Sequence, residues 1–141
     1  MRTRSIVALT FALLAPVLLR ADDAKDLQGN WVPVKGELDG ARVPDELLKA
    51  TKLHLGAGKY NVEIGKEKDA GTFKFDATKK PKQMDITSTD GPNKGKTLHA
   101  IYELSGDTLT VCYALDGKGR PAEFKTAKES NLYLVTYKRV K

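Results

Sequence analysis

The chain has 141 residues, with 24 Lys and Arg against 18 Asp and Glu, a formal net charge of +6. The single cysteine, Cys112, leaves no intramolecular disulfide to hold the fold, so a packed core must do so. The basic residues fall in scattered loops rather than in a stripe with interleaved aromatics, which excludes a nucleic-acid interface.

The N-terminus reads as an export signal. Arg2 and Arg4 form a basic start, Ile6 to Leu19 is apolar apart from Thr10 and Pro16, and Ala21 is a small residue at a plausible cleavage point. The apolar run is short for a bilayer span of ~20 residues, so cleavage is expected and no stable membrane span after it. Residues 1–21 are therefore assigned as signal peptide and 22–141 as one domain. Loss of Arg2, Arg4 and Arg20 takes the 24 basic residues to 21 against 18 acidic, leaving +3. The protein is expected in the periplasm or outside the cell.

Asp22 to Asp26 reads as a polar leader, and Leu27 to Lys35 as the first strand, with Pro33 marking an edge or bulge. Asp39-Gly40 is a turn. Val43 to Ala50 carries the one helical signal, an early proline followed by two acids and Leu47-Leu48. At about two turns, it suits a cap or flank on a barrel end.

From Lys52 onward the period is two. Lys52 to Leu55 and Lys59 to Ile64 flank Gly56-Ala57-Gly58, a hairpin. Gly71 to Phe75 sets Phe73 and Phe75 on one face, and Gln83 to Thr89 does the same for Met84 and Ile86. Thr97 to Leu104 and Thr108 to Leu115 join through Ser105-Gly106-Asp107. A two-residue Gly106-Asp107 turn would pair Ser105 with Thr108, Leu104 with Leu109, Tyr102 with Val111 and Ala100 with Tyr113. One face of that hairpin is then apolar, and the other carries His99, Ile101, Glu103, Thr110 and Cys112. Arg120 to Thr126 leaves room for a short further strand, and Asn131 to Arg139 is the last. Sequential hairpins without a crossover helix predict an all-β fold. They predict a single antiparallel up-and-down β-barrel of about eight strands, with one short helix after the first.

Few residues carry chemistry. Asp90-Gly91-Pro92-Asn93-Lys94-Gly95-Lys96-Thr97 is one residue short of a phosphate-binding loop and precedes a strand, not a helix. Asp116-Gly117-Lys118-Gly119 has too few oxygen ligands for calcium. His54 and His99 lack a metal-ligand spacing, and although His99 and Cys112 share a face, two ligands do not make a site. No Ser-His-Asp set can be assembled, so no catalytic residue, metal or cofactor is assigned. Gly29, Trp31 and Arg139 form a structural closure: first and last strands are neighbours in a barrel, which brings the guanidinium over the indole.

The Gly29-x-Trp31 start, the strand count and Arg139 resemble lipocalin-type barrels, without their C-terminal helix or second motif. A closer resemblance covers nearly all of the mature chain. Its residues are Leu27-Gln28-Gly29-Asn30-Trp31, Gly71 to Asp76, Lys79-Lys80-Pro81-Lys82, Gly91 to Thr97, Ile101 to Leu109 and Arg120 to Phe124. In that order they resemble the small exported lipocalin-like domain family that recurs in planctomycete proteins. The resemblance implies a lipocalin-like barrel and carries over no activity, ligand or catalytic residue.

The first functional reading is non-catalytic binding of a small apolar or amphipathic ligand within the barrel. Its expected lining is Phe73, Phe75, Met84, Ile86, Tyr102, Leu109, Val111, Tyr113, Leu132 and Leu134. Large side chains at most inward positions favour a filled interior instead, while Ala100 leaves local space. A filled barrel suits the alternative, a cell-envelope module that meets a protein or polysaccharide through its loops. Enzymatic activity ranks below both.

Overall fold

The computed structural model describes residues 23–141; the expected signal lies outside the described residues. In chain order the elements are α1 (Asp23–Asp26), β1 (Gly29–Leu38), β2 (Ala41–Arg42), α2 (Asp45–Lys49), β3 (Thr51–Leu55), β4 (Lys59–Ile64), β5 (Glu67–Asp76), β6 (Lys82–Asp90), β7 (Thr97–Ser105), β8 (Thr108–Ala114) and β9 (Leu132–Arg139). All pairings are antiparallel, in the order β2-β1-β3-β4-β5-β6-β7-β8-β9, and β1 also pairs β9. Eight strands therefore close into an up-and-down barrel, with β2 as a small ribbon on the end of β1. Closure removes the free edges that an open meander would expose.

Alternation explains why these segments are strands. In β3, Thr51, Leu53 and Leu55 are buried while Lys52 and His54 are exposed. The β7–β8 hairpin has the register that its turn dictates: Ser105 faces Thr108, Leu104 faces Leu109, Tyr102 faces Val111 and Ala100 faces Tyr113. In β1 the ladder to β9 slips between Pro33 and Lys35. Proline cannot donate to the ladder, and the bulge resets the parity of the strand. Trp31 and Pro33 are buried before it, Val34 and Lys35 are exposed at it, and Gly36 is buried after it.

One end of the barrel is closed. Leu27 and Trp31 are fully buried there, and the Trp31 indole N–H donates to the Leu27 carbonyl at 2.9 Å. The Arg139 guanidinium carbon sits 4.3 Å from the indole centroid. Its Nη1 donates to Gln28 O at 2.7 Å, Nη2 to Asp26 O at 2.6 Å and Nε to Asp107 at 3.0 Å. Gly29 makes room for this: its φ is +143°, and a Cβ would lie 2.8 Å from Arg139 Nη1.

Two expectations need correction here. Asp22 to Asp26 is not merely a leader, since Asp23–Asp26 forms α1 and joins the closed end. Asp23 accepts hydrogen bonds from Tyr102 Oη at 2.8 Å and Lys82 Nζ at 2.9 Å. A four-residue helix leaves no periodicity to detect. Arg120 to Thr126 forms no strand but crosses the outer face as a loop, because Arg120 is drawn sideways onto the barrel wall. It donates to Ala100 O at 2.9 Å, Met84 O at 3.2 Å and Asp85 at 2.7 Å.

Candidate functional site: the barrel cavity

Inward side chains do not fill the barrel. A cavity of about 480 Å³ occupies the end opposite Trp31, within the range of small-molecule sites. Its wall is mostly aliphatic and aromatic, including Leu53, Phe73, Met84, Leu109 and Val111. Leu38, Leu47, Ile64 and Leu115 line its mouth and are between 40% and 47% exposed. They come from the β1 end, α2, the β4 end and the segment after β8. Helix α2 folds over this end because Gly36 lacks a side chain: a Cβ there would lie 3.2 Å from both Leu48 and Val43. Leu48 is buried by that contact, which leaves Leu47 at the rim.

Of the lining expected from the sequence, Phe73, Met84, Ile86, Leu109, Val111 and Tyr113 line the cavity. Phe75 and Tyr102 belong to the closed end, where their rings meet edge to face with centroids 6.2 Å apart. Tyr102 is held there by its bond to Asp23. Leu132 and Leu134 are corrected, because they lie on the outer face. Leu134 sits opposite Cys112, and Leu132 borders an outer recess of about 140 Å³ with Ala122 and Thr126. The inward residues of β9 are Tyr133, Val135 and Tyr137. The run Leu132 to Tyr137 is apolar or aromatic on both faces apart from Thr136, so hydropathy alone does not set its parity. The loop covering Leu132 is what permits apolar residues outside.

Sequence reading also missed the polar groups of the cavity. Tyr60 Oη donates to Asp69 Oδ2 at 3.0 Å, and Ser88 Oγ donates to Asp69 Oδ1 at 2.6 Å. Deeper in, the hydroxyls of Tyr113 and Tyr137 are 2.9 Å apart. The Tyr60–Asp69–Ser88 cluster depends on Gly71, where the β5–β6 register slips. A Cβ on Gly71 would fall 1.9 Å from Thr87 O and 2.8 Å from the Tyr60 ring. The alternation of Gly71, Phe73 and Phe75, carried back two residues along β5, places Asp69 inward; the polar run Glu67 to Asp69 gave no apolar signal to carry it that far.

Burial pushes the Tyr60 hydroxyl up to about 12, with the neighbouring Asp69 carboxylate adding to it. Burial likewise raises Tyr102, Tyr113, Tyr133 and Tyr137, so every tyrosine of the chain is held neutral above the ordinary range.

The outer wall has its own polar group. Asp85 is 2.8 Å from His99 Nδ1 and 2.7 Å from Arg120 Nη2. Partial burial works to raise the Asp85 carboxyl, but the hydrogen bonds from His99 and Arg120 outweigh it and hold it low. Cys112 is fully buried beneath the loop, its Sγ 3.9 Å from Lys125 O, and burial pushes its thiol up. No group of three or more His, Cys, Asp or Glu that could hold a metal is present among the described residues. Among them, too, no helix is long and apolar enough to cross a membrane.

No family model matches the chain, and no solved structure matches it. The chain is similar to the human (Homo sapiens) protein described as Protein FAM47E, at 25% identity over 117 residues, which is 82% of this chain and 28% of that protein. The aligned stretch thus spans little more than a quarter of that relative's length.

Proposed function

We propose that this protein is an exported, non-catalytic binder that holds one small apolar or amphipathic molecule in its barrel. The observation that carries the reading is the cavity itself. It is about 480 Å³, walled by apolar side chains and ringed at its mouth by exposed leucine and isoleucine. Apolar walls gain from covering a ligand, and a closed floor gives the site one entrance. The export component rests on the N-terminal pattern of Arg2, Arg4, the apolar run and Ala21. Gly29-x-Trp31, the closed barrel and Arg139 support grouping the chain with small exported lipocalin-like domains.

The alternative, a filled module acting through its loops, draws less support because the interior is hollow. The absence of catalysis is part of the proposal: His99 and Asp85 meet on the outer wall, away from the cavity.

The test is native mass spectrometry of protein purified gently from the envelope or secreted fraction of its host. A reproducible added mass that leaves on denaturation is the expected result, and it identifies the cargo. A bare polypeptide that also takes up no apolar compound when offered one overturns the reading.

A further inference from the structure

Asp69 gives the cavity a chemical preference. It lines the wall on the mouth side, and each of its oxygens accepts one hydrogen bond, from Tyr60 and from Ser88. A carboxylate has about four acceptor positions, so about two remain. Among the described residues no Lys, Arg or His lies within ion-pair distance of it. Asp69 is half-buried, and a carboxylate at the edge of an apolar space without a counter-charge favours a cationic partner. Below it the wall is apolar, through Phe73, Met84, Leu109 and Val111.

We propose that Asp69 receives a cationic head group, so that the preferred occupant is an amphipathic amine with its nitrogen on Asp69 and its apolar body toward the floor. The inference rests on the cavity-binding reading and names its ligand class. Lys96 is the lysine of the cavity lining, and it is exposed at the rim. An anionic head group would therefore find its attraction at the edge, while its body would have to pass the Asp69 charge. A neutral head group would leave that charge uncompensated.

The test is calorimetric titration with decylamine, decanol and decanoate at neutral pH and low salt, below their aggregation concentrations. Decylamine is protonated there, as a lysine amine is. The expected order is amine, then alcohol, then carboxylate. The amine leads the alcohol by about tenfold, the scale of one charge-assisted hydrogen bond. Asp69→Asn, which keeps an acceptor for Tyr60 or Ser88, should bring amine and alcohol to equal affinity. Lys96→Met should leave the amine preference in place.

Tightest binding of decanoate overturns the inference, as does an amine preference that survives Asp69→Asn. Equal binding of decanol and decylamine by the unaltered protein overturns it while sparing the cavity reading. Failure of all three to bind overturns both.

Discussion

At the scale of single residues, the closed end depends on Arg139 more than on any other charged side chain. Its guanidinium stacks on Trp31 and satisfies Gln28 O, Asp26 O and Asp107 together. Arg139→Met keeps apolar cover but strands those carbonyls. It should cost about 2–3 kcal/mol in urea unfolding, and Arg139→Lys should recover only part, because an ammonium cannot make the planar fork. This pair was legible in the sequence, since a barrel makes the first and last strands neighbours and both residues sit near strand ends. Asp69 was not legible as a site residue, because the polar run Glu67 to Asp69 ahead of Gly71 has no apolar alternation to mark it as strand.

The tyrosines supply a pH prediction at the same scale. Their folded pKa values lie above the ordinary value of 10, which favours the neutral form in the folded state. The stability this contributes is fully present below pH 10 and is lost as pH rises through the folded values, about 12 for Tyr60. Absorbance at ~295 nm should show phenolate formation delayed past the usual range and coincident with loss of far-ultraviolet structure. In concentrated urea all five should titrate near the ordinary value. Independent early ionisation in the folded protein would contradict their burial.

Among the elements, β5 and β6 meet at Gly71, where backbone passes so close that no side chain fits. Gly71→Ala should destabilise by about 3 kcal/mol or more, read as a fall in the urea midpoint or as insoluble expression. The loop between β8 and β9 is pinned through Arg120 to Met84 O, Ala100 O and Asp85, and Cys112 lies beneath it. Arg120→Ala should free the loop without opening the barrel. Limited proteolysis should then cut between residues 115 and 131, and the reaction of Cys112 with a thiol reagent should speed up. An unchanged thiol rate would show that the loop is held by other contacts.

The strands were readable because period-two alternation survives wherever one face meets solvent, as in β3 and β4. It failed in β9, where a covering loop permits Leu132 and Leu134 outside. It was silent on α1, whose four residues matter through one tertiary contact of Asp23 with Tyr102 and Lys82.

As a whole molecule, the barrel divides into a packed floor and a hollow upper part. Alternation told which residues point inward but not whether they meet. Large inward residues suggested filling, and they do fill the lower end, where Trp31, Phe75 and Tyr102 gather beneath α1. Above them the same residue types line the barrel wall, Tyr113 stacked on Tyr133 and bonded to Tyr137, and closure by eight strands leaves space on the mouth side of them.

Hollowness is most directly tested by fluorescence titration with a neutral apolar probe, N-phenyl-1-naphthylamine, against the unaltered protein and Val62→Trp. Val62 lines the cavity and is only partly buried, so an indole there can occupy the space without displacing the packed floor. A hollow barrel predicts saturable enhancement at one probe per chain, displaced by decanol, and at least about tenfold weaker binding by a Val62→Trp protein of unchanged unfolding midpoint. Absence of saturable binding, or equal binding by the two proteins, would contradict a ligand site inside the barrel.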